Sequence, residues 1–161
     1  MDVQVTGAEQ ILARLFFLEK RLGDLSPVYD EIGAFIESQA NIRFDTKTDP
    51  DGHAWQAWAD STAKRRAKQG RGTLMSFSGL LRTSLTHTAD ADGVVVGFSA
   101  TNKSGGGYAS PLEFGAPSHN LPPRHMLLSS LADLSGGAAA LGDEDWQGVV
   151  ALLDTYFWNR T

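Results

Sequence analysis

The sequence predicts an α+β fold, a small antiparallel β-sheet packed against several α-helices in a single domain, and two patterns predict it. Apolar residues recur at helical spacing towards both ends of the chain, and between them two short runs of β-period flank a polar tetrapeptide. The length of 161 residues agrees with one domain, since domains commonly span roughly 100 to 200 residues.

At 7–22, Ile11, Leu15, Leu18 and Leu22 draw one stripe along a helix that Gly23 ends. A second helix over 26–44 starts with Ser26 as its cap and Pro27 at the first helical position, with Asp30 and Glu31 near the positive dipole end. Its apolar stripe is Val28, Ile32, Phe35, Ile36 and Ile42. The short connection makes residues 1–44 an antiparallel helical hairpin. Residues 45–52, DTKTDPDG, predict an exposed loop closing on Pro50, Asp51 and Gly52. Trp55 and Trp58 follow, large enough in apolar area to clamp that loop onto the helices. Asp60 or Ser61 caps a basic helix running to Lys68, and Gly70 with Gly72 breaks it.

The period then changes. Residues 85–89 and 94–98, split by Asp90, Ala91, Asp92 and Gly93, predict a β-hairpin with a longer turn, and Val94, Val95 and Val96 suit a strand buried on both faces. Residues 102–107, NKSGGG, form a flexible loop, without the Lys and Ser or Thr of a phosphate cradle. One or two helical turns fit 108–114, ahead of Gly115, and Pro117, Pro122 and Pro123 hold the chain extended. A short helix over 125–134, a small-residue linker SGGAAALG and a terminal helix over 143–158 complete the chain. That last helix carries Trp146, Val149, Val150, Leu153, Phe157 and Trp158.

Composition excludes several classes of function. The absence of cysteine rules out disulfides and thiolate metal sites and fits synthesis in a reducing cytoplasm. No apolar run approaches the roughly 18 to 20 residues of a membrane span. His53, His119 and His125 lie in or beside loops at intervals matching no zinc motif, so no metal and no cofactor is expected. The string around Ser78 lacks the first glycine of a nucleophile elbow, and the acidic pairs sit in solvated turns or at a helix start, so no catalytic residue is assigned.

The formal charge of −5 argues against a dedicated duplex-DNA binder. Its distribution is polar, however. Five of the 14 basic residues, Lys64, Arg65, Arg66, Lys68 and Arg71, fall in one run, whereas 126–159 holds none and carries Asp133, Asp143, Glu144, Asp145 and Asp154. Unlike surfaces on one small domain can meet head to tail between copies, although a pair of solvated faces explains the same pattern. The basic run beside Trp55 and Trp58 keeps a second reading open, a DNA-binding accessory protein using residues 64–71.

Pro50-Asp51-Gly52, Trp55 and Trp58, Thr62 and Lys64, Ser78-Gly79-Leu80, Val94 to Gly97, Tyr108-Ala109 with Glu113-Phe114-Gly115, and Leu121-Pro122-Pro123-Arg124 occur in this order. The order resembles the phage virion morphogenesis family, which includes Mu-like morphogenesis proteins and the tail completion proteins of P2-like phages. The likeness spans a core of about 45–134, and it departs from the family at SPLEF before Gly115 and at His125-Met126 after Arg124. The resemblance implies a structural, non-enzymatic protein of the virion, assembled in the host cytoplasm. It would complete the head-proximal end of the tail as a ring, hexameric by likeness to related neck components, around the DNA channel. Partners implied are further copies, the head-tail connector, the tail terminator and the tail tube, with genomic DNA passing without sequence-specific binding and no membrane involved. On this reading Lys64, Arg65, Arg66, Lys68, Arg71 and Arg124 are the contact residues, helped by mobile loops at 45–52 and 102–107. Gly79 and Gly115 permit special backbone turns, Tyr108 belongs to the motif, and Pro122 with Pro123 stiffens an arm that presents Arg124.

Overall fold

The computed structural model describes residues 23–70, 72–75, 79–101, 105–107, 109–129 and 141–159. The predicted helix at 7–22, and with it the helical hairpin, lies outside them, as do Arg71, Tyr108, residues 102–104 of the 102–107 loop, and residues 130–140 with most of the predicted linker. In order come α1 (Ser26–Thr46), α2 (Asp60–Lys68), α3 (Leu80–Thr83), β1 (Leu85–Ala89), β2 (Val94–Phe98), α4 (Ala109–Glu113), a 3-10 turn (Pro117–His119) and α5 (Asp143–Asp154), which runs into a π turn (Thr155–Asn159). This is an α+β fold with a two-stranded antiparallel sheet. No described helix is long and apolar enough to cross a membrane.

The central element is α1, which packs on both strands and on α5. Its start differs from expectation by one residue: Leu25 takes the cap position and Ser26 is already helical. Asp24 does the capping work, its Oδ1 accepting the Ser26 N–H at 3.0 Å, because a carboxylate two residues earlier reaches that orphan donor better than the Ser26 hydroxyl. Asp30 and Glu31 fall beyond the first turn. The inward stripe is Val28, Ile32, Ile36, Ala40 and Phe44, whereas Ile42 is exposed, one position off the buried face.

Among the described residues two apolar clusters build the core. Val28, Ile32, Ile36, Val149 and Tyr156 hold α5 on α1. Phe44, Trp55 and Met126, with Leu81, Phe98 and Leu112 half-buried beside them, tie the following segments to the far end of α1.

The hairpin falls where the sequence places it, pairing Leu85 with Phe98 through Ala89 with Val94. The Asp90 carboxylate accepts the N–H groups of Asp92 and Gly93 and so closes the turn. Burial on both faces does not occur: Val95 is 74% exposed while Val94 and Val96 face α1. A two-stranded sheet with a helix on one side leaves its other side to water, so three consecutive valines divide between the faces.

His87 lies on the helix-facing side of β1 directly over Gly33, where a Cβ would stand 2.3 Å from the imidazole Cδ2. Its ring nitrogens approach Glu37 at 3.0 Å and Asp30 at 3.1 Å. Glu37 foremost, with Asp30 assisting, holds the imidazolium above its ordinary 6.5 against the opposing effect of burial. A pKa raised by folding contributes stability that is complete below the unfolded value and is lost as pH rises through the folded value. The melting temperature is therefore expected to fall between about pH 6 and pH 8. His87→Gln should flatten that decline, and an equally steep decline in the variant would exclude His87 as its source.

Three further expectations need correction. Residues 45–52 are an exposed loop only in part: Asp45 and Thr46 end α1, and of the rest Gly52 alone is exposed. Asp49 and Pro50 are buried, Thr48 bridges Ala54, and the Asp49 carboxylate accepts the N–H groups of Asp51 and His53, which draws the turn inward. Pro117 opens the 3-10 turn instead of an extended run, since its fixed φ suits a first helical position. Residues 125–129 are not helical, because the Glu113 carboxylate takes the N–H groups of Met126, Leu127 and Leu128 that a helix would direct elsewhere. The terminal helix does form, but Trp146, Val150 and Trp158 lie on its outer side.

Candidate assembly surface

The separated sequence motifs converge on residues 121–128. Gly115, at φ +78°, lies so close to this segment that a Cβ would meet Pro123 N at 3.0 Å and Leu121 O at 3.1 Å. Both the left-handed conformation and the close approach require glycine. The Arg124 N–H donates to Leu112 O at 2.7 Å. From the other direction the Trp55 indole donates to His125 O at 2.9 Å, and Arg43 donates to Met126 O at 3.2 Å. Phe44 meets Trp55 edge to face at 5.8 Å. The clamp expected of the two tryptophans thus belongs to Trp55. Trp58 is half-buried, with the Arg66 guanidinium 5.5 Å from its ring centre.

Of the contact residues named from sequence, Lys64, Arg65 and Lys68 are exposed on α2, Arg66 is half-buried against Trp58, and Arg71 lies outside the described residues. Arg124 is not presented outward. It is 2% exposed, and its Nε donates to Gln56 O at 3.0 Å. The extended Pro122-Pro123 pair orients it inward, because Gly115 and the α4 carbonyl at Leu112 hold this segment flat against the domain. Burial pushes the guanidinium pKa down, though an arginine so placed keeps its charge. Gly79 takes φ +73° at the start of α3, the backbone freedom expected of it.

Pro50, Asp51 and Gly52 stand at the opposite end of the hub, where the Ser129 hydroxyl donates to the Asp51 carboxylate at 2.9 Å. Ligand atoms of Asp49, Asp51 and His53 gather within 4.8 Å of one another. The hydrogen bonds of the turn and of Ser129 account for this arrangement, and it carries no metal assignment.

The acidic end of the chain is also redistributed. Asp143, Glu144 and Asp154 are exposed on α5, but Asp145 is fully buried and pairs with Arg43 at 2.5 Å. Sequence reading missed this pair, the Glu113 bonds, and an exposed bidentate contact from Arg82 to Asp45 that ties α3 to α1 and holds the Asp45 carboxyl below its usual range. Between α2, α3 and α4 lies a groove of about 470 Å³, walled by Trp58, Leu80, Leu81, Pro111 and Leu112, with Arg66 and Arg124 reaching it. Its lining is mainly apolar, with two guanidinium side chains in it.

No curated protein and no solved structure matches the chain significantly. The model of the phage virion morphogenesis family matches residues 3–155, nearly the whole length. The chain therefore belongs to the phage virion morphogenesis family, and its role is a structural one in building the phage particle.

Proposed function

We propose that this protein completes the head-proximal end of the phage tail, assembling head to tail into a ring around the DNA channel, and that it works by docking and not by catalysis. The observation that supports this reading is the segregation of exposed charge: Lys64, Arg65 and Lys68 crowd α2, while Asp143, Glu144 and Asp154 occupy α5 in a different part of the fold. Heterologous contacts between unlike surfaces generate closed rings when the rotation closes. Six copies, the number implied by likeness to neck components, each bring a formal charge of −5, and an acidic assembly lets DNA phosphates slide past. The neighbours in the particle are the connector above and the terminator and tube below.

Reversing Arg65 and Arg66 to glutamate should weaken subunit docking by about tenfold or more. Infectious yield and intact necks in micrographs report it, and normal values for both would remove charge pairing from the proposal. The exposed basic face of α2 favours one competing reading, duplex-DNA binding through residues 64–71. A mobility assay over a salt series separates the two, because phosphate contacts weaken steeply as salt rises.

A further inference from the structure

The Arg124 side chain is the most unusual feature of the groove. Buried to 98% by its 2% residual exposure, it spends its Nε on Gln56 O, and no other side-chain bond is made by it among the described residues. Arg124 is among the residues that line the groove. A guanidinium almost withdrawn from water, at a groove, favours an anionic oxygen there, and the apolar walls around it favour an aromatic or aliphatic side chain beside that oxygen. Leu80, on the rim, is 49% exposed.

The chain itself offers that chemistry. Along α5 and the π turn, Trp146, Val150, Asp154 and Trp158 recur every four residues, and all are exposed, the two tryptophans to 59% and 67%. Large exposed tryptophans on one helix side mark contact surfaces. Asp143 and Glu144 precede them, and no Lys or Arg occurs from 126 to 159. The opposite side of α5, through Val149 and Tyr156, is committed to α1, whereas the groove overlies the cluster of Phe44, Trp55 and Met126. The stripe thus points away from the domain that bears it.

Resting on the ring reading above, we propose that the acidic, tryptophan-bearing outer face of α5 in one copy docks in the Arg124 groove of the next, Asp154 meeting the guanidinium and its flanking apolar side chains filling the walls. The contact is head to tail, so each copy has one groove and one stripe to offer and the series continues until it closes.

Sedimentation of the full-length chain at its highest soluble concentration tests this. The wild type should sediment as assemblies larger than a monomer. Leu80→Glu, which blocks the groove, and the double variant Trp146→Ser/Trp158→Ser, which removes the stripe, should each be monomeric while keeping the wild-type circular dichroism spectrum. Should Leu80→Glu not fold, Leu80→Gln replaces it. An equal mixture of the two variants should form one-to-one dimers and nothing larger, because only one intact groove and one intact stripe can meet. Asp154→Asn alone should weaken association roughly tenfold. Assemblies that persist in both variants, or a mixture that stays monomeric, would overturn the groove contact and leave the ring standing. A wild type that remains a monomer throughout would overturn both.

Discussion

Asp145→Ala is expected to destabilise the chain by about 3–5 kcal/mol, the usual cost of breaking a buried ion pair from one side. Both partners are buried, and the Arg43 guanidinium would be left inside the protein with the Met126 carbonyl as its remaining acceptor among the described residues. Because the pair joins α5 to α1, the loss should appear as a lower urea midpoint together with a larger exposed surface near the terminal helix. Replacing both partners, Arg43→Met with Asp145→Leu, should recover most of the loss, since no unpaired charge remains. A single-variant cost below about 1 kcal/mol would mean that water reaches the pair.

Phe44→Ala is expected to cost a comparable amount, about 3–5 kcal/mol, from lost burial and the cavity left behind. The ring meets Trp55 edge to face at 5.8 Å and Phe98 at 6.2 Å, so one side chain unites the tryptophan loop, the hairpin and α1. Calorimetry should show a lower melting temperature, and Phe44→Leu should retain much of the wild-type value. Equal losses from both variants would place the effect in the aromatic geometry, not in buried area.

Local pattern made some of this architecture readable in advance. The hairpin was legible because Asp90 and Gly93 supply their own turn chemistry between two β-period runs. Gly115 and Gly79 were legible because few other residues adopt a positive φ. Long-range pairing was not. Arg43 and Asp145 stand 102 positions apart, and nothing near either residue marks it as buried. Glu113 belongs to a sequence motif, but its bonds to residues 126–128 arise only after the chain doubles back, and they are what prevents the helix expected there. Arg124 and Trp146 show the same limit in opposite senses: a cation beside two prolines turned inward, and a tryptophan at helical spacing turned outward. Hydrophobicity ranks residues for burial, whereas the partner available at each position decides it.

Gly33 carries a consequence for how this protein can vary. A glycine inside α1 sacrifices roughly 0.5–1 kcal/mol of helix preference relative to alanine, yet any larger side chain there collides with His87. Alanine at 33 would lever the hairpin off the helix and draw the imidazole away from Glu37 and Asp30, so a gain in helical preference would arrive with a loss of acid response. A substitution at this position would therefore change stability and its dependence on pH together.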